Sequence, residues 1–155
     1  MRSKFTAALF GFSLSLIAPV HAFDAAGLAV TTSGKAWAEL HKANRKDGKL
    51  SIELRFLTRT SGYSGEVIYT DLAALPAAEV PHLTAGGRDY PLFLDAAGKP
   101  MAPDRAETSF NYDPEKNPRV GTWKAVFEAP PAEAGDVMLI LPNVAPIGPL
   151  GIKDR

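Results

Sequence analysis

The sequence predicts an all-β fold: a two-sheet antiparallel β-sandwich of seven to nine short strands. Three observations carry this. Residues of Lys49 to Thr60 show period two over eight positions, Gly and Pro recur between short apolar runs, and no stretch keeps a helical period over several turns.

The alternating stretch is KLSIELRFLTRT. Leu50, Ile52, Leu54 and Phe56 fall on one face, and Ser51, Glu53, Arg55 and Leu57 on the other. Period two of this length means a strand buried on one side. Lys35 to Ala43 precedes it, and Asn44-Arg45-Lys46-Asp47-Gly48 lies between. Asp-Gly beside a strand signals a hairpin. A two-residue turn at Asp47-Gly48 would set Glu39 beside Phe56 and His41 beside Leu54. A three-residue loop, Lys46 to Gly48, sorts the faces better. It pairs Ala38 with Phe56, Leu40 with Leu54, Glu39 with Arg55 and His41 with Glu53. Lys42 opposite Ile52 is its weak point, eased by snorkelling at a sheet edge.

Further strands are expected at 65–70, 80–84, 89–94, 106–112, 121–128 and 136–141. Ala85-Gly86-Gly87-Arg88 signals a second hairpin. Pro91 demotes 89–94 to an edge strand or a bulge. Asp71 can cap one helical turn, which Pro76 would stop. Trp123, Ala125 and Phe127 form a buried stripe on their strand. Trp37 faces outward opposite Leu57, as a second sheet contact or an exposed patch. The tail LPNVAPIGPLGIKDR has three prolines. It is placed along an edge, closing the core with Ile147, Leu150 and Ile152.

The chain opens MRSKFTAALFGFSLSLIAPVHA. Arg2 and Lys4 precede an uncharged run of 14 residues, Phe5 to Ala18, and Val20-His21-Ala22 offers a small-residue cut site. That predicts a secretory signal peptide over residues 1–22. The run falls short of the roughly 20 residues of a spanning helix. Residues 23–155 then form a single domain of 133 residues. The chain has no cysteine. Neither a disulfide nor a lipidated cysteine at the cut site is available, and a soluble periplasmic or secreted protein is expected. Without the leader, 15 basic residues stand against 17 acidic ones. That balance gives no footprint for nucleic acid. No second apolar run is long enough for a membrane span.

The pattern GTWKAVFEAP, a gap, then DVMLILPNVAPIGPLGIKD resembles the last strands of small secreted bacterial immunoglobulin-like domains. The resemblance covers about a quarter of the chain. It implies an immunoglobulin-like sandwich with binding or structural work rather than catalysis, and it assigns no site residues.

Chemistry-bearing residues crowd into SFNYDPEKNPRVGTW, residues 109–123. Asp113, Glu115 and Asn117 match the first ligand positions of a calcium loop. However, Pro118 stands where that loop needs Gly, and Lys124 where it needs a bidentate Glu. Asp-Pro and Asn-Pro favour turns, so the stretch reads as a hairpin tip. Tyr112, Asp113 and Arg119 are its candidate binding residues, at a loop end where such folds meet partners. Tyr63, between Gly62 and Gly65, either packs over the sheet end or joins that surface.

His41, His82, Met101 and Met138 suggest a copper carrier by ligand type, but their spacing matches no compact site. His41 is instead expected to partner Glu53. No G-x-S-x-G elbow or phosphate-binding loop occurs. Paired carboxylates of a hydrolase depend on spatial spacing and stay open. The expected function is an exported non-catalytic binding or accessory domain of the cell envelope. It would have no cofactor and would meet another envelope protein or an extracellular macromolecule. The alternatives are a small periplasmic copper carrier and an envelope hydrolase.

Overall fold

The computed structural model describes residues 27–155. The expected signal peptide, residues 1–22, lies outside the described residues. The fold is mostly β, with several antiparallel sheets. Its strands are β1 (Ala29–Val30), β2 (Ala36–Lys46), β3 (Lys49–Thr58), β4 (Val67–Tyr69), β5 (His82–Ala85), β6 (Arg88–Tyr90), β7 (Ala106–Glu107), β8 (Arg119–Glu128), β9 (Met138–Leu141), β10 (Val144–Ile147) and β11 (Lys153–Asp154). These are eleven segments among the described residues, against the seven to nine expected; β1, β7 and β11 are only two residues long. One sheet runs β1-β2-β3-β8, with β11 added parallel to β2. A second runs β10-β9-β5-β6, and β4 pairs with β7.

All three sheets feed one apolar core. Leu50, Leu54, Phe56, Trp123 and Phe127 enter from the first, Leu83, Leu139, Leu141 and Ile147 from the second, and Ile68 and Tyr69 from the third. The alternations of 49–58 and of Trp123, Ala125 and Phe127 are buried as expected. Asp71 accepts from the Ala73 amide at 3.0 Å and caps a single 3₁₀ turn, Leu72–Ala74. Ile147 and Leu150 close the core from the tail.

The β2–β3 hairpin corrects the expected loop. Lys46 pairs with Lys49, so the turn has two residues, with Asp47 at φ 49° and Gly48 at φ 70°. Positive φ at both positions is the type I′ pattern that matches strand twist. The expected pairs Ala38–Phe56, Glu39–Arg55 and Leu40–Leu54 also form. Both hold because the register shifts between Leu40 and Lys42, a bulge that takes up one residue at His41. Beyond it Ala43, not Lys42, faces Ile52, and Lys42 faces Glu53. The expected His41–Glu53 pair is therefore replaced. His41 Nε2 lies 2.9 Å from an Arg55 Nη. A guanidinium only donates, so His41 accepts in that bond.

Pro91 ends β6 at the edge of the second sheet. The chain then crosses to the free edge of β8 in the first. Phe93 N donates to Val126 O at 2.8 Å, Val126 N to Met101 O at 2.9 Å, and Glu128 N to Pro91 O at 3.0 Å. Between these contacts Asp95 Oδ1 accepts from the amides of Ala97 and Lys99 and folds a tight reversal. No helix among the described residues is long and apolar enough to cross a membrane.

Candidate functional site

The loop from β7 to β8 is braced at its base by one hydroxyl. Thr108 Oγ1 accepts from the Glu66 amide at 2.8 Å and donates to the Glu66 carbonyl at 3.2 Å. That leaves the Tyr63 hydroxyl as donor in its 2.7 Å bond to Thr108. Tyr63 is 2 % exposed. It is therefore a scaffold residue beneath the loop, a correction to its place among the binding residues. Burial pushes its hydroxyl pKa up to about 12; the Thr108 bond works against the rise and nearby Glu66 adds to it.

A short antiparallel bridge fixes the next step. Asn111 N donates to Tyr63 O at 2.8 Å, and Gly62 N and Ser61 Oγ donate to Tyr112 O at 3.3 and 3.2 Å. In the tip, Asn111 Nδ2 donates to Asn117 O at 2.6 Å, and Asn111 Oδ1 accepts from Asp113 N at 3.1 Å. Asp113 Oδ2 meets Lys116 Nζ at 2.9 Å. The Asp113 carboxylate thus also bonds within the loop, while its side chain keeps 40 % exposure.

The bracing leaves two aromatic side chains in solvent: Phe110 is 62 % and Tyr112 77 % exposed. They lie two apart, the spacing that places side chains on one side of an extended chain. Phe110 was not singled out from the sequence, although the F-x-Y spacing was its signal. Arg119 is exposed at the start of β8 and stands beside Leu57, which in turn faces Trp37. The structure therefore ties the segment of Tyr63 to that of Tyr112 through the Asn111–Tyr63 and Gly62–Tyr112 main-chain bonds, holds Asp113 through the Asn111 side chain, and sets Arg119 at the end of a cross-strand row.

A separate groove of about 450 Å³ lies between Lys42, Glu53 and Lys124 on one side and Pro100 to Pro103 on the other. The three charged residues are cross-strand neighbours on β2, β3 and β8. Glu53 reaches Lys124 Nζ at 3.3 Å and Lys42 Nζ at 4.0 Å. Desolvation, the largest single influence, pushes the Glu53 pKa up. The hydrogen bond and charge of Lys124, with the charges of Lys42 and of His41 when protonated, outweigh it and hold the carboxyl below its ordinary value. A depressed folded-state pKa stabilises the fold above the ordinary carboxylate value and loses that contribution as pH falls through the folded value. Glu53→Gln is accordingly expected to lower the melting temperature slightly at pH 7, with the gap to the parent closing below about pH 4. A gap that stayed constant from neutral to acid pH would contradict this pairing.

A carboxylate pinned in its ionised form is poorly placed to act as a general acid, and Glu53 is the one carboxylate lining the groove among the described residues. The residues weighed for copper lie apart in the topology: His41 on β2 bonds Arg55, and His82 on β5, in the second sheet, bonds Val80 O at 2.8 Å. No group of three or more His, Asp or Glu side chains gathers as a metal site among the described residues. Compared with known protein families, curated proteins and solved structures, the chain matches none.

Proposed function

We propose that this chain is an exported, non-catalytic binding or accessory domain of the cell envelope, periplasmic or secreted. In this reading the fold is an immunoglobulin-like two-sheet sandwich, supported by inward residues of both larger sheets meeting in one core. The contact surface is the loop end carrying Phe110, Tyr112 and Arg119. The observation that carries it is the pair of solvent-facing aromatics on a loop whose own polar side chains are used to hold its shape. Aromatic and arginine side chains dominate binding hot spots. A loop already fixed loses little freedom on binding, which favours affinity. The partner is another envelope protein or an extracellular macromolecule.

The test is recovery of a partner from envelope extract with the parent protein, then affinity measurement against that partner. Phe110→Ala and the double change Tyr112→Ala with Arg119→Ala are each expected to weaken binding by about tenfold or more. Unchanged affinity in both would place the contact elsewhere. Failure of the parent to retain any partner would remove the proposed function.

A further inference from the structure

We propose that the groove between the Lys42–Glu53–Lys124 row and the Pro100–Pro103 segment binds a small monoanionic amphiphile, a carboxylate carried on an apolar body. This site is independent of the loop end described above. Its volume of about 450 Å³ is that of a small-molecule pocket.

The charges select the sign of the ligand. Two ammonium groups share one carboxylate, so the row carries one surplus positive charge. Lys42 and Lys124 are 56 % and 67 % exposed at their side chains, whereas Glu53 is 19 % exposed. The lysines are therefore free to swing toward a ligand while Glu53 stays in place. Asn44 and Ser51, which also line the groove, add only neutral hydrogen-bonding groups. A cationic ligand would meet two like charges. A phosphate dianion would find no guanidinium fork in the lining, the group suited to bidentate capture. A single carboxylate matches the surplus.

The opposite wall selects the body. Pro100, Met101 and Pro103 face the row, and Val126 extends the apolar surface on β8. Met101 is 40 % exposed yet held by two main-chain bonds, its amide to Phe93 O and its carbonyl from Val126 N, each 2.9 Å. A flexible thioether on a fixed backbone adapts to varied apolar shapes. Glu53 competes with the ligand for the same lysines, which gives the proposal a distinctive consequence: removing its charge frees both cations.

The experiment is titration of the protein with decanoate below its micellar range, followed by amide chemical shifts. Saturable shifts at residues 100–103 and around Lys42, Glu53 and Lys124 are expected. Decanol and decyltrimethylammonium should bind at least about tenfold more weakly. Lys124→Gln should weaken decanoate about fivefold, and Glu53→Gln should strengthen it. Spectra of the free variants establish that they are folded. Equal binding of the three probes, shifts confined to other surfaces, no saturable shift with decanoate, or weaker binding by Glu53→Gln would each overturn the proposal.

Discussion

Replacing Trp123 with alanine is expected to destabilise the protein by about 3–5 kcal/mol, a fall of roughly 10–20 °C in melting temperature. The indole is 1 % exposed and packs against Phe127, ring centroids 6.2 Å apart. Its Nε1 donates to the Tyr69 hydroxyl at 2.9 Å, and that hydroxyl donates to Pro103 O at 2.8 Å. Alanine leaves a large cavity and takes away the donor that the buried Tyr69 oxygen accepts from. Trp123→Phe separates the two effects. It keeps most of the apolar volume while losing the bond, so its loss should be about 1–3 kcal/mol. Thermal or denaturant unfolding of both variants measures the difference. Equal losses would mean that the hydrogen bond, not the packing, dominates.

Gly65→Ala is the second large effect, expected to cost about 2–4 kcal/mol. Gly65 has φ +80°, and a Cβ there would lie 2.6 Å from Thr108 O and 3.4 Å from Phe110 N. Both neighbours are main chain, so relief requires the segment carrying Thr108, just after β7, to move. Thr108 is the hydroxyl that joins Tyr63 and Glu66. The same substitution should therefore disturb amide shifts through residues 108–112 and weaken any partner held by Phe110 and Tyr112. Full stability with an unaltered loop would show that the close approach is not maintained in solution.

Much of this fold was legible because its signals are local. The alternation of 49–58, the Trp123 stripe and the Asp71 cap each depend on residues a few positions apart, and each is found as read. The bulge at His41 was not legible. The turn chemistry of Asp47-Gly48 asked for one register and the apolar sorting of Ala38 and Leu40 for another; only an extra residue satisfies both. Tyr63 stayed open between packing and display because its hydroxyl partner, Thr108, lies 45 residues away; the buried reading holds. The groove was invisible for the same reason: its walls come from β2, β3, β8 and the 100–103 segment, which only the assembled sheets bring together. The candidate loop was recognised by its crowded polar groups; Asn111 and Asp113 among them hold the loop, and the exposed aromatics Phe110 and Tyr112 stand beside them.

The crossing of the chain at Pro91 has a consequence for solubility. An unpaired ribbon margin invites a second molecule to extend it, which is how β-rich proteins begin to aggregate. On β8 the amides and carbonyls of Val126 and the amide of Glu128 are already taken by Pro91, Phe93 and Met101 of the same molecule. A neighbour seeking to add itself there would first have to strip away this intramolecular cover.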